Sequence, residues 1–348
     1  MINQNIRIKE LDPHTVGESE ATALNIFDNR MRAEQWPLDP LRSVAETIGH
    51  WRFVPEYLDL HQWAAWSDAE KKVVGRGHIN IGRYEENPHM ADFDIDVIPE
   101  MRRQGIGKAL LRRIVAVARR ENRDLLLVTT DRDIPAGRVF LRRLGARMSL
   151  ASHTNQLDLS HLDMTLVDKW RSRGLRLARS FDLVLREGAY PEGNLEAMAE
   201  LKGVMNTAPT DALELEAFTW TVDHLRQEDR CLISLGVERW TMFLKDRTTG
   251  ELAGFTEVLR DRHYPDTVEQ GHTAVSLKYR NRGLAQWLKG EMLSRMIKEM
   301  PQLKKIRTAN ADSNAAMLRI NRSLGFRPLK SWSTWQVDLD RALGYLGE

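Results

Sequence analysis

"YRNRGLAQWL" (residues 279–288) sets an arginine, a glycine three residues later and then a small residue at the mouth of an apolar-periodic stretch. The same Arg-x-x-Gly-x-small pattern stands earlier, in "MRRQGIGKALL" (101–111). Gly105 and Gly283 lie 178 residues apart. Downstream, "FLRRLGA" (140–146) matches "INRSLGF" (320–326), with Gly145 and Gly325 lying 180 residues apart. So small a drift is what one loop insertion produces, and the chain reads as a duplication.

Both halves predict the same order of elements. The first runs from a strand "NIRIKEL" through helical material at 19–32 and 41–49 to a hairpin, "DLHQWAAWS" and "KKVVGRGHINI", and an alternating strand "ADFDIDVI". The glycine turn follows, then an amphipathic helix from Ile106 to Arg120, a buried strand "DLLLVTT", a helix ending "FLRRLGA" and a closing strand near "NQLDLS". The second half repeats this with "FDLVLRE", a helix from about Asn194, a longer one from Asp211 to about Gln227, and a hairpin turning at "TTG". The strand "HTAVSL", the turn, a helix to about Met300, "KKIRTAN", a helix from Ser313 and "STWQVDL" finish the chain. The expected fold is α/β of the α+β kind, with two tandem domains that each hold a mixed, mostly antiparallel sheet flanked by helices. The expected boundaries are 1–160 for the first domain, 161–178 for a connecting helix and 179–348 for the second domain.

Composition narrows the function. At 348 residues, 42% hydrophobic and 29% charged, the chain suits two ordinary soluble domains. A net charge of +2 provides no global basic field, so neither nucleic acid nor an anionic membrane is an expected partner. No stretch approaches the roughly 18 apolar residues of a membrane span, and the start has no apolar core of signal-peptide type. A single cysteine, Cys231, cannot make an internal disulfide, which points to a reducing cytoplasm and a packed thiol. No His, Cys or carboxylate spacing indicates a metal.

The turn has a definite physical use. The first turn of a helix leaves backbone N–H groups unpaired, and the helix dipole adds partial positive charge there. Small residues at 105 and 107, and at 283 and 285, let a phosphate approach those groups, and Arg102, Arg103, Arg280 and Arg282 add cationic donors. Taken alone, a glycine at a helix start is commonly structural. Its recurrence in the same context favours a pyrophosphate site. A dinucleotide fold would want G-x-G-x-x-G early in a parallel βαβ unit, whereas here antiparallel hairpins precede the turn.

The segments "VIPEMRRQGIGKALL…FLRRLGA" and "VSLKYRNRGLAQWLKGEML…IRTANADSNAAMLRINRSLGFRP" resemble the GNAT superfamily of acyl-CoA-dependent N-acetyltransferases, arranged as a tandem pair similar to that of mycothiol synthase. The resemblance covers nearly the whole chain and implies acetyl-CoA as co-substrate and a small-molecule amine as acceptor. It assigns the coenzyme to Val275, Leu277 and the turn Arg280, Asn281, Arg282, Gly283, Leu284, Ala285, with Asn310 and Asn314 nearby. In the first half the same roles fall to Val97, Ile98, Arg102, Arg103, Gln104, Gly105, Ile106 and Gly107. Many relatives carry a Tyr four residues before the Gly of "LGF" to protonate the leaving thiolate. Here that position is Asn321, or Leu141 in the first half, which leaves Tyr279 and Tyr264 as unranked substitutes. The first half also has Ile134 where the second has Asn314, so the second half is the expected catalytic one.

Acyl transfer to an amine requires the amine to be neutral when it attacks, which calls for a base. Glu257 within "AGFTEVLR" and His272 are the candidates, with Asn321 as a hydrogen-bond donor. In the first half, "ADFDIDV" puts Asp92, Asp94 and Asp96 on one strand face, where they either bind something cationic or sit in solvent. The second is the ordinary outcome in an antiparallel sheet. The expected enzyme works as a monomer, a pseudo-dimer of its domains, or as a homodimer. The alternative is a non-catalytic acyl-CoA-binding regulator.

Overall fold

The computed structural model describes residues 5–67 and 71–348. Along the chain these form β1 (Ile6–Leu11), α1 (Glu18–Gln35), α2 (Val44–Arg52), β2 (Leu58–Ser67), β3 (Lys72–Gly82), β4 (Met90–Val97) and α3 (Ile106–Arg120). Then come β5 (Leu125–Asp131), α4 (Pro135–Leu144), β6 (Arg147–Asp158), α5 (Met164–Leu177), β7 (Phe181–Glu187), α6 (Leu195–Gly203) and α7 (Val222–Ser234). The rest is β8 (Val237–Asp246), β9 (Leu252–Asp261), β10 (Thr267–Val275), α8 (Leu284–Glu299), β11 (Lys305–Ala311), α9 (Ala315–Ser323), β12 (Arg327–Asp338) and α10 (Leu339–Leu346).

Two compact units result, and they do not follow the contiguous boundaries expected from the sequence. Unit 1 comprises 1–150, 212–214 and 332–348; unit 2 comprises 151–211 and 215–331. The strand order in unit 1 is β1-β2-β3-β4-β5-β12, and in unit 2 it is β7-β8-β9-β10-β11-β6. Each repeat's closing strand therefore completes the other unit's sheet: Trp332–Asp338 pairs with β5, and Ser152–Asp158 pairs with β11. An exchanged strand satisfies the same ladder of backbone groups as the local one would. The pairing is antiparallel except between β4 and β5 in unit 1 and between β10 and β11 in unit 2.

Helix placement follows from apolar spacing. In unit 1, α3 buries Ile106, Leu110, Leu111, Ile114, Val115, Val117 and Ala118, with Gly77 of β3 letting Leu110 come close. Each such buried large side chain contributes about 1.5–3 kcal/mol. In unit 2, α5 stacks on α8 through two reciprocal contacts, Gly174 beneath the Trp287 indole and Gly290 against Trp170. A Cβ on Gly174 would stand 2.0 Å from the Trp287 Nε1, so only glycine fits there.

Three further expectations need correction. The helix expected over 211–227 forms only from Val222, where the Thr221 hydroxyl accepts from the His224 N–H at 3.1 Å. Upstream of it, Ala212 N donates to Ser149 O (3.1 Å), Glu214 N donates to the Gln336 side chain (2.8 Å), and Leu213 packs on Met90, Leu125 and Leu127. Tertiary partners thus override local helix spacing. β6, β10 and β12 each begin five or more residues earlier than expected, and α10 follows where the chain was read as ending in a strand.

Candidate functional site

Both glycine turns take the same backbone form. Gly105 and Gly283 sit in the left-handed region at φ 82° and 83°, and so do Arg103 (65°) and Asn281 (63°) two residues earlier. The first helical bonds beyond the turns are Ala109 N to Gly105 O (3.0 Å) and Trp287 N to Gly283 O (3.1 Å). The N–H groups of Ile106, Gly107 and Lys108, and of Leu284, Ala285 and Gln286, therefore lie in the first turn with no helical acceptor. Alternating left-handed residues concentrate N–H groups into an anion-binding concavity. The space is open: a Cβ on Gly283 would meet nothing nearer than Gln286 Oε1 at 3.7 Å, and one on Gly107 nothing nearer than 3.8 Å. The residues present fit a pyrophosphate.

The strand leading into each turn leaves its parallel neighbour early. β4 pairs with β5 only over Met90–Asp92, and β10 with β11 only over Thr267–Glu269. On the other side, β10 stays paired with β9 as far as Val275. A wedge therefore opens beside residues 270–275, and beside 93–97 in unit 1.

The arginines differ from expectation. Arg102 Nε donates to Val97 O (3.0 Å) and Arg280 Nε to Val275 O (3.2 Å), so each ties its turn back to the preceding strand. Arg102 is further neutralised by Glu34 (2.8 Å), whereas Arg280 donates to the Thr207 hydroxyl at 2.6 Å. Arg282 reaches the Lys278 carbonyl at 3.4 Å, and Gln104 the Glu100 carbonyl at 3.3 Å. The Ile98 N–H is committed to Val74 O at 3.1 Å, and Leu277 lies exposed at the start of the second turn.

Glu257 and His272 come together. Glu257 is buried on β9, and its Oε1 lies 2.7 Å from His272 Nδ1 on β10, where a bulge breaks the ladder. Its Oε2 accepts from the Tyr190 hydroxyl at 2.6 Å. Burial alone would push the Glu257 carboxyl up, but the His272 hydrogen bond and the charges of Lys202 and Arg239 outweigh it and hold the group at about 2. Burial and the Glu257 charge push the Tyr190 hydroxyl well above its usual range, so it remains a donor. Lys202, fully buried on α6, reaches Glu228 of α7 at 2.7 Å. Arg239 of β8 pairs with Asp229 and lies 3.5 Å from the centre of the Tyr190 ring. Trp220 closes this side, with Lys202 4.1 Å from its ring centre and the His272 ring 6.5 Å away edge-on.

Tyr190, Lys202, Glu228, Asp229, Arg239 and Trp220 escaped the sequence reading because they are distant in sequence and lie on different elements. Asn321 is placed elsewhere: it is buried and donates to Asn310 Oδ1 at 2.9 Å. Asn314 caps α9, accepting from Met317 N at 3.3 Å. Tyr279 is buried against Phe181 and donates to Glu251 at 3.2 Å. Among the described residues no group of His, Cys, Asp and Glu could hold a metal ion, and no helix is long and apolar enough to cross a membrane.

Residues 27–146 and 209–326 each match the model of the acetyltransferase (GNAT) family, together more than half of the chain. The chain belongs to the GNAT acetyltransferase family. No curated protein sequence matches it. Among solved structures it is similar to a tandem GNAT protein from the clavulanic acid biosynthesis pathway, with a TM-score of 0.76 and 24% identity over 96% of this chain and 98% of that one. It is also similar to a GCN5-related N-acetyltransferase from Sphaerobacter thermophilus, with a TM-score of 0.64 and 11% identity over 97% of both chains. At these identities the likeness establishes a fold of two GNAT repeats.

Alignment of the two GNAT repeats exposes an inversion. Gly75 faces Val97 across β3 and β4 as Gly254 faces Val275 across β9 and β10, which makes His78 the counterpart of Glu257. His78 in turn faces Asp94, which stands where His272 does. Unit 2 thus has carboxylate then imidazole, and unit 1 has imidazole then carboxylate. His78 Nε2 lies 3.7 Å from Asp94, beyond a hydrogen bond.

Proposed function

We propose that the protein is an acetyl-CoA-dependent N-acetyltransferase that acetylates a primary amine of a small molecule in a ternary complex, with unit 2 as its working centre. The observation that carries this reading is the Glu257–His272 pair beside the wedge, with His272 on the strand that leads into the Gly283 turn and Glu257 on its neighbour β9.

When bound, acetyl-CoA supplies an activated acyl group as a thioester. The N–H groups of Leu284, Ala285 and Gln286 would hold its pyrophosphate, and the unpaired edge of β10 up to Val275 would align its pantetheine. The chain's own part is proton handling. Glu257, kept ionised, accepts from His272 Nδ1–H and fixes the tautomer in which Nε2 is the acceptor. His272 Nε2 then takes a proton from the incoming ammonium so that the amine attacks uncharged. With more than a third of its side chain exposed, His272 can pass that proton to solvent. Tyr190, Lys202 and Arg239 act on Glu257 and position it; the base is His272. Asn321 is able to donate a hydrogen bond but not a proton, and its amide is turned to Asn310.

The test is titration with acetyl-CoA followed by free-thiol release across a panel of primary amines. His272→Ala is expected to lower kcat by about 10²–10⁴-fold, the usual range for a lost general base, with acetyl-CoA affinity unchanged. Absence of acetyl-CoA binding would sink the whole reading. Binding without turnover on any amine would make the protein a non-catalytic acyl-CoA-binding regulator instead.

A further inference from the structure

β10 does not pair evenly with β9. Gln270 stands opposite Val258 and Thr273 opposite Thr256, so Gly271 and His272 together face Glu257 alone. Two residues against one make a bulge, which re-aims the side chains it carries. Here it sets His272 Nδ1 2.7 Å from Glu257 Oε1. Gly271 makes the room, because a Cβ there would stand 3.0 Å from the Glu257 Cγ.

A bulge disrupts the ladder locally, and the backbone groups beside it call for other partners. The Gln270 side chain serves as one. Its Nε2 donates to Glu257 O at 2.7 Å and to the Thr256 hydroxyl at 3.2 Å. A backbone carbonyl only accepts, which fixes the orientation of the amide. Gln270 is buried, and Thr256 and Val258 alternate with Glu257 along β9. The amide therefore grips β9 from the face opposite the Glu257–His272 pair. On the wedge side the Gln270 carbonyl accepts from the Thr308 hydroxyl of β11 at 3.2 Å. Past the bulge, the hydroxyls of Thr256 and Thr273 bond at 2.7 Å.

The first repeat is an internal control. There β3 and β4 stay in register without interruption from Gly75–Val97 to Asn80–Asp92. Where unit 2 has Gln270 opposite Val258, unit 1 has the buried Phe93 opposite Ile79, and no residue corresponds to Gly271. Its imidazole and carboxylate stand 3.7 Å apart, beyond a hydrogen bond. Bulge and amide occur together in the repeat whose pair bonds, and neither occurs in the other.

On the reading of His272 as the base, we infer that Gln270 is a positioning residue for acetyl transfer. Its amide locks the β10 bulge, which keeps His272 Nδ1 on Glu257 and leaves Nε2 for the acceptor. The residue touches neither coenzyme nor amine and acts only through the backbone that carries the pair.

The experiment reads the His272 ring in the full chain by NMR, with isotopically labelled histidine nitrogens, at about pH 8.5, where an ordinary histidine is neutral. The signal is assigned by its loss in His272→Ala. Wild type is expected to show the Nδ1–H tautomer, because the hydrogen bond to Glu257 selects it. Gln270→Met is expected to shift the ring toward a mixture with the Nε2–H tautomer. In acetyl transfer it should lower kcat about ten- to a hundredfold, the scale of displacing a positioned group by about 1 Å, with KM for acetyl-CoA unchanged. Met296→Ala, a cavity at the buried far end of α8, is expected to lower the thermal midpoint and leave the tautomer as in wild type. Gln270→Ala is read instead if Gln270→Met does not fold. An unchanged tautomer in the Gln270 variant, the same shift in Met296→Ala, or a shifted tautomer with kcat unchanged overturns the inference. The ring is read without acetyl-CoA or amine, so the hold of Gln270 on His272 is decided separately from acetyl transfer, which fails only if no amine is turned over by wild type.

Discussion

Replacing Glu257 by Gln removes a buried charge while keeping an acceptor for His272. Glu257 is held at about 2 against an ordinary 4.5. At about 1.4 kcal/mol per pKa unit, this corresponds to about 3 kcal/mol of folding free energy at neutral pH. The folded-state pKa lies below the unfolded one, so the contribution is fully present above pH 4.5 and is lost as pH falls toward 2. The variant should accordingly unfold in urea with about 3 kcal/mol less stability at pH 7. The gap to the wild type should narrow by about 1.4 kcal/mol on acidification to about pH 3.5, because the unfolded carboxyl binds its proton first. Only unit 2 carries the substitution, so unfolding is best followed by a probe near it, such as Trp220 fluorescence. A gap that stays constant between these pH values would refute the argument that His272, Lys202 and Arg239 keep Glu257 ionised. The same variant should lose activity, since a neutral amide does not stabilise the protonated imidazole formed when the base works.

Gly283→Val should cut acetyl-CoA affinity at least tenfold with the far-UV spectrum unchanged. The φ of 83° strains any branched residue, and the new side chain fills the phosphate approach, yet the nearest atom to its Cβ is 3.7 Å away. Unchanged affinity would show that this turn is not the cradle. Lys289→Met should stabilise the protein. Lys289 is buried in α8, and desolvation lowers it from 10.5 to about 7, so wild-type stability rises with pH across that window as the unfolded state loses its extra proton. The advantage of the variant, about 4 kcal/mol at most near pH 7, should shrink by about 1.4 kcal/mol per unit toward pH 10. An advantage independent of pH would mean that packing and not charge explains it.

The repeat and its turns were legible because glycine at a left-handed helix cap leaves a fixed signature, Arg-x-x-Gly-x-small, with periodic helix after it. The α3 and β7 boundaries fall where spacing placed them. The exchanged strands were not legible: β6 and β12 each present a backbone edge that either β5 or β11 accepts, and no local residue decides between them. α10 could have been read, since Leu339, Ala342 and Leu346 recur at helical spacing. At the site, the Glu257 and His272 candidates were visible as residues but their pairing was not, because it depends on the strand register and on the bulge in β10. Asn314 carries a sequence signal that serves equally as a helix cap, and capping is the bond it makes.

The inversion at one pair of positions explains how two copies of one fold can diverge without losing their frame. A histidine base requires a carboxylate behind one ring nitrogen, held ionised, with the other nitrogen free. Unit 2 meets all three conditions: Glu257 lies 2.7 Å from Nδ1, stays ionised at about 2, and leaves Nε2 open. Unit 1 fails the first two as built. His78 turns Nε2 toward Asp94 at 3.7 Å, desolvation and Arg76 keep it from charging, and Asp94 is pushed up where Glu257 is pulled down. The decisive difference lies in the surrounding charges. Lys202 and Arg239 surround the carboxylate of unit 2, while Asp92 and Asp96 surround that of unit 1. Exchanging His78 and Asp94 for Glu and His would therefore not transplant the base, because Asp92 and Asp96 would flank the new pair where unit 2 has Lys202 and Arg239.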